Sequence, residues 1–178
     1  MESSIIGITS IMDNGEGRRA EEQGMKLSTH LAFGVGVAGL LASLAECDIV
    51  CWMLALIISL SINLVIDLIG HRARLFHPPV RTKITHSLPG IIAISMLVTF
   101  IASRGLLLAD SNPLFLYGIG LASGLSHWLL DALNPSGVYL FRRKFRLAKI
   151  PYYSFVANMV FQMIGGAMLL YSILILPR

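Results

Sequence analysis

Five long apolar stretches, separated by short polar connections, constrain this chain more than any other feature of its sequence. They cover roughly residues 27–45, 50–69, 88–108, 114–133 and 153–176. A helix needs about 20 mostly apolar residues to cross the hydrocarbon core of a bilayer. The helices of a soluble bundle need polar outer faces, and a chain that is 55% hydrophobic and 13% charged has few residues with which to make them. The sequence therefore predicts an all-α fold, a polytopic membrane helix bundle with about five transmembrane helices.

One transmembrane helical domain, residues 26–178, is expected to take up nearly the whole chain. Residues 1–25 are polar and lack the continuous apolar core of a signal peptide. We expect this N-terminal tail to be disordered, with Met25 as a candidate alternative start.

The basic residues predict the orientation of the bundle, because cytoplasmic loops of membrane proteins carry an excess of Lys and Arg. Twelve of the 14 fall before the first apolar stretch, in the second connection or in the fourth, and only Arg104 and Arg178 fall on the opposite side. We therefore expect a cytoplasmic N-terminus, an external C-terminus and a place in the cell (inner) membrane. The formal net charge of +4 reflects this bias, so membrane lipid is the expected partner and nucleic acid is not.

All histidines, and both carboxylates inside the apolar segments, lie near the basic end of those segments. These residues are His30, His71, His77, His86, His127, Asp67 and Asp131. Lipid penalises such groups, so their collection at one membrane face indicates a shared site. Asp67 and His71 are four residues apart, as are His127 and Asp131, so each pair is expected on one helix face. His77 precedes Pro78 and is interpreted as an exposed loop residue.

A metal site is the simplest reading of this cluster, since four chain passes could bring nitrogen and oxygen ligands to one depth. The candidate ligands are His30, Asp67, His71, His86, His127 and Asp131. A set without thiolates suits a divalent metal, with zinc as our expectation and manganese or iron as alternatives. The sequence leaves open whether one ion or two are bound. Each residue also has a structural interpretation, as a helix-end hydrogen bonder or as half of an ion pair with an arginine.

Other polar residues are expected to support the ligands or to meet a substrate. Those expected to hydrogen-bond the ligands from behind are Asn63, Thr85, Ser87, Asn158 and Gln162. Arg72, Arg81 and Lys83 would lie at the headgroup level, where they suit phosphate. Gly120 and Gly124 form a Gly-x-x-x-Gly pair, which is typical of close helix packing in membranes.

Four segments together resemble the YdjM-like family of membrane-bound proteins classed as metal-dependent hydrolases. They are Ser-Thr-His-Leu at 28–31, the turn 67–71, Ile-Thr-His-Ser-Leu at 84–88 and the long block 124–138, in matching order over residues 25–150. The resemblance implies that the six candidate ligands are metal-binding positions. The chain departs from the family pattern at 67–71, where it has one acid and an extra residue, and at 81–83, where Arg-Thr-Lys replaces His-Arg-Gly.

A hydrolase would use metal-activated water, with Asp131 or Asp67 accepting its proton. The expected substrate is a phospholipid or another membrane-surface phosphoester. The alternative is a non-enzymatic membrane protein, a transporter or an interaction partner, with a structural or ion-binding polar cluster. A desaturase-type iron oxidoreductase would need more histidines in closely spaced pairs. The sequence leaves the oligomeric state open.

Overall fold

A computed structural model describes residues 25–74, 77–81, 85–105, 112–141, 143–151 and 154–177. Of residues 70–74, 77–81 and 105, only the backbone is described. The helices are α1 (Leu27–Leu44), α2 (Ile49–Gly70), α3 (Leu88–Gly105), α4 (Pro113–Ala132) and α5 (Phe155–Ile175). The strands are β1 (His71–Arg74), β2 (His77–Arg81), β3 (Val138–Leu140) and β4 (Arg143–Phe145). The predicted disordered tail lies outside the described residues, except for Met25.

The helices confirm the predicted membrane bundle. Within the described residues, four of them, α1, α2, α4 and α5, are long and apolar enough to cross a membrane. Helix α3 is a shorter apolar helix, and its 18 residues rise about 27 Å, close to the thickness of the hydrocarbon core. The predicted stretches agree with the helices to within a few residues, although residues 106–108 of the third stretch lie outside the described part.

Local sequence explains where most of the helices begin. In four of the five, a side chain just before the helix accepts a hydrogen bond from a backbone N–H of the first turn. These capping residues are Asp48, Ser87, Asn112 and Ser154. Pro113 also favours the start of α4, because its missing N–H would have no partner in the first turn.

Helix α2 ends at Gly70, a residue type often found where helices stop. His71 therefore lies in β1, and the prediction that Asp67 and His71 share one helix face is wrong. The reason is that Gly70 ends the helix before the fourth residue after Asp67 is reached.

The core of the bundle is a stripe of aliphatic side chains on α2. Leu54, Ile58, Ile62 and Ile66 are buried at successive i, i+4 positions, and Ile91 of α3 lies in the same cluster. Large apolar side chains also cover the outside, as at Leu174, which is 82% exposed. An apolar exterior of this kind suits lipid as the surrounding solvent.

Glycines set the closest helix contacts. A Cβ at Gly124 of α4 would collide with the hydroxyl of Ser95 on α3, and one at Gly120 would collide with that of Thr99. The predicted close-packing role of Gly120 and Gly124 is thus confirmed. A second close crossing joins α1 to α5, where a Cβ at Gly165 would collide with the backbone of Ala32.

Two antiparallel hairpins lie at one end of the bundle. Strand β1 follows α2 directly and pairs with β2, with His71 opposite Arg81 and Arg72 opposite Val80. The second hairpin, β3 and β4, lies between α4 and α5 in the sequence and contacts α3. Tyr139 of β3 forms a β-bridge with Ser87, the residue just before α3.

Candidate metal centre

Five predicted ligands from four chain passes meet at the end of the bundle that carries the hairpins. His30 lies in the first turn of α1, Asp67 in the last turn of α2, and His86 two residues before α3. His127 and Asp131 lie at the end of α4. Asp67 is 7% exposed and the other four are at most 1% exposed, so the group is closed off from bulk solvent.

Asp131 is at the centre of this group. Its Oδ1 lies 3.4 Å from Nε2 of His30. Its Oδ2 lies 3.5 Å from Nε2 of His86 and 3.5 Å from Nε2 of His127. One carboxylate thus faces three imidazoles that belong to three different helix ends.

Asp67 completes the group, since its Oδ1 lies 3.6 Å from the same Nε2 of His127 that faces Asp131. The rings of His30 and His127 stack with their centroids 3.9 Å apart. Two sets of potential ligand atoms therefore arise, each within 4.8 Å: His30 with Asp67 and His127, and His86 with His127 and Asp131. Both sets could hold a metal ion, and they share His127.

The distances and the burial fit a cation between these residues. Direct charge-assisted hydrogen bonds are about 2.7–2.9 Å long, whereas the four nitrogen–oxygen distances run from 3.4 to 3.6 Å. Among the described residues, Nε2 of His30 and Nε2 of His127 find no hydrogen-bond partner. Two buried carboxylates are costly without positive charge beside them. A divalent cation with neutral imidazoles would bring the net charge of the group to zero.

Asn63 fixes the protonation of His127. Its Nδ2 donates to the backbone oxygen of Ser59 at 2.9 Å and to Oγ of Ser123 at 3.1 Å. A backbone oxygen only accepts hydrogen bonds, so the amide orientation is fixed and Oδ1 faces Nδ1 of His127, 3.0 Å away. His127 must then carry its proton on Nδ1, which leaves the lone pair of Nε2 directed at the carboxylates.

Replacing Asn63 by leucine should therefore weaken metal binding about 10–100-fold, the usual cost of losing the partner that orients a ligand histidine. Titration of the purified protein against a competing chelator measures this affinity. Ser126→Ala is the control, because that buried hydroxyl donates to the backbone oxygen of Ser123 on the same helix. Equal affinities in Asn63→Leu and wild type would show that Asn63 does not orient the ligand.

His86 is held from two sides. Its Nδ1 lies 2.9 Å from the hydroxyl of Thr85, and its backbone oxygen accepts a hydrogen bond from the N–H of Tyr139 in β3 at 3.1 Å. Thr85 therefore hydrogen-bonds the ring of a candidate ligand. The hydroxyl of Ser87, next to His86, caps α3 by accepting from the N–H of Gly90.

Asn158 and Gln162 of α5 contact the residue before a ligand. The hydroxyl of Thr29 donates to Oδ1 of Asn158 at 2.6 Å, and Nε2 of Gln162 lies 3.1 Å from that hydroxyl. They tie α5 to the first turn of α1, and so help to place His30.

Some predicted site residues cannot be compared with the centre. The side chains of His71, Arg72 and Arg81 lie outside the described part of the chain, although their backbone forms the first hairpin next to Asp67. Lys83 lies wholly outside the described residues.

Two residues that the sequence reasoning did not select belong to the surroundings of the centre. Ser123 accepts from Asn63, and Nδ2 of Asn134 lies 3.3 Å from Oδ1 of Asp131. The spacing of Ser123 was a usable signal, because it lies four residues before His127 on the ligand face of α4, whereas Asn134 lies just beyond the end of that helix.

Comparisons with known proteins place the chain in a family without adding an activity. A family model described as "Protein of unknown function (DUF1286)" matches residues 25–130. The match covers the four chain passes that supply the candidate ligands and stops one residue before Asp131. No curated protein and no solved structure matches the chain. The resemblance to the YdjM-like family stays a prediction.

Proposed function

We propose that this chain, which belongs to the DUF1286 family of unknown function, is a membrane-embedded metal-dependent hydrolase that acts through the candidate metal centre. The substrate we infer is a phospholipid or another phosphoester at the cytoplasmic face of the cell membrane. The observation that carries the proposal is the buried group of three imidazoles and two carboxylates around Asp131.

The shared histidine favours one ion over two. An imidazole nitrogen has a single lone pair, and Nδ1 of His127 is engaged by Asn63. Only Nε2 remains, so His127 cannot serve both ligand sets at once. A single ion held by Nε2 of His127 could draw its other ligands from either set.

The spacing of the ligand atoms supports zinc. Nitrogen and oxygen ligands about 2.0–2.2 Å from zinc in a tetrahedron lie roughly 3.3–3.6 Å from one another. The four nitrogen–oxygen distances, 3.4 to 3.6 Å, fall in this range. Manganese and iron accept the same ligand types and remain alternatives.

In the proposed reaction the bound ion would lower the pKa of a water molecule and polarise the phosphoester. Asp131 is fully buried among three histidines and is assigned to holding the ion. The side chain of Asp67 is 8% exposed, so it is the more accessible carboxylate and is assigned to accepting the proton of the attacking water. Arg72, Arg81 and Lys83 follow Asp67 in the sequence and are assigned to the substrate phosphate.

The membrane setting supports a lipid substrate. The centre lies at one end of helices that are long enough to cross a bilayer, where lipid headgroups are concentrated. The excess of Lys and Arg at this end supports the cytoplasmic leaflet. The resemblance of the sequence to the YdjM-like family supports the same reaction class.

The proposal is tested with purified protein in lipid bilayers that contain phosphatidylglycerol and phosphatidylethanolamine, by measuring released phosphorylated headgroup or phosphate. Wild type should release product, a chelator should stop the release, and zinc should restore it. Asp67→Asn should slow turnover about 10²–10⁴-fold, the usual contribution of a general base.

The control for this experiment is Asp48→Asn, which changes a carboxylate that caps α2 at the opposite end of that helix. It should turn over at the wild-type rate. Metal-loaded wild type that releases no product from any phosphoester would contradict the hydrolase and favour a structural or ion-binding cluster. Release that is insensitive to chelator would contradict the role of the metal.

A further inference from the structure

The hairpin of β3 and β4 carries an exposed basic and apolar surface that the proposed reaction does not use. We propose that this surface binds the headgroup of an acidic phospholipid and anchors the hairpin in the bilayer surface. The inference needs neither a bound metal nor hydrolysis, so it stands apart from the proposed function.

The hairpin is fixed to the bundle at the membrane surface. Val138 of β3 is fully buried, and the ring of Phe145 in β4 stacks on Trp128 of α4 with centroids 5.7 Å apart. A backbone hydrogen bond from the N–H of Leu147 to the oxygen of Ala132 joins the segment after β4 to the end of α4. A hairpin held at the end of a membrane-crossing helix lies at the level of the lipid headgroups.

The tip of the hairpin places a bulky aromatic side chain where one is unfavourable. Leu140 pairs with Arg143, so two residues join β3 to β4, and Phe141 is the first of them. Such turns favour Asn and Gly because they need positive φ. Here Phe141 has a φ of 56° and is 72% exposed. The backbone of Phe141 is in the left-handed region, and its exposed ring does not stabilise the turn. An aromatic residue kept in this unfavourable conformation points to a role outside the fold.

The charge of this segment selects an anionic partner. Residues 135–151 contain no acidic residue. Their described basic side chains, all exposed, are Arg143, Lys144, Arg146 and Lys149. Basic residues next to a bilayer attract acidic lipids, with an effect of about fivefold in affinity per charge.

The apolar side chains distinguish a lipid from a small soluble anion. Leu140, which precedes Phe141, is 39% exposed, and Leu147, which follows β4, is 51% exposed. Phosphate alone has no surface for these groups to contact. A phospholipid offers both a charged headgroup and the start of an acyl chain, where amphipathic protein surfaces rest.

The test is native mass spectrometry of the detergent-purified full chain with short-chain phosphatidylglycerol, and with phosphatidylcholine of the same chain length. Wild type should retain phosphatidylglycerol in preference to phosphatidylcholine. Arg143→Gln combined with Lys144→Gln should weaken its binding about 25-fold. Arg104→Gln, which removes an exposed basic residue from the far end of α3, should change nothing. Equal retention of the two lipids by wild type, or unchanged binding by the double variant, would overturn the proposal.

A second variant keeps the test decisive if the double variant folds poorly. Phe141→Asn should relieve the turn and leave the thermal midpoint equal or higher, yet lower phosphatidylglycerol binding about fivefold or more, because the apolar contact of the ring is lost. A purely structural Phe141 would instead leave lipid binding unchanged. Tighter binding of a single-stranded RNA than of phosphatidylglycerol would make the surface a nucleic-acid site and would also overturn the proposal.

Discussion

Asp131→Ala should leave the purified protein without bound divalent metal. Asp131 faces the Nε2 atoms of His30, His86 and His127 at 3.4–3.5 Å, and it is fully buried. Its loss removes a ligand and half of the negative charge that a divalent ion would neutralise. We expect metal affinity to fall by more than the roughly 100-fold that loss of a supporting hydrogen bond can cost. Elemental analysis after dialysis against a weak chelator measures the effect.

The control for this prediction is Ser126→Ala, which removes a buried polar group from the same part of α4. It should keep the wild-type metal content. Circular dichroism should show that both variants remain helical, so that a loss of metal reflects the site and not unfolding. Wild-type metal content in Asp131→Ala would remove Asp131 from the centre.

The second large effect is expected at the crossing of α1 and α5. In Gly165→Ala, the new methyl group would collide with backbone atoms of Ala32 and Phe33. Backbone atoms cannot relieve a collision by changing rotamer, as a side chain can. The two helices must then separate. Overpacking of this kind usually costs about 1–3 kcal/mol, and sometimes more. Because α1 carries His30, metal affinity should fall as well. Thermal unfolding in detergent, with and without added zinc, measures both effects.

The next residue supplies the matched control. A methyl group at Gly166 would meet no atom of the described residues within 4 Å. Gly166→Ala should therefore be neutral, or slightly stabilising, since alanine favours the helix over glycine. If both variants lower the midpoint equally, the loss would come from glycine itself and not from the close crossing.

Sequence alone predicted the helices well, because the length of an apolar segment is set by the thickness of the bilayer. It also predicted that the ligands share one end, because the histidines and both embedded carboxylates lie near the basic ends of the apolar segments. The close packing at Gly120 and Gly124 could likewise be predicted from their Gly-x-x-x-Gly spacing, since close helix approach requires small residues. These features depend on local spacing.

The remaining features depend on which helix faces which. Nothing in the local sequence distinguishes Asp131, which faces three histidines, from Asp67, which faces one. That difference arises from the packing of α1, α2 and α3 around α4. The hairpin of β3 and β4 was also missed, because its turn at Phe141 carries none of the residues that usually indicate one.

The most direct test of the metal centre is elemental analysis of wild-type protein, purified in detergent and measured against an accurate protein concentration. The single group of ligands that share His127 predicts one divalent ion per chain, with zinc as the expected element. A protein that contains no divalent metal, and that takes up none when zinc is supplied, would contradict the account.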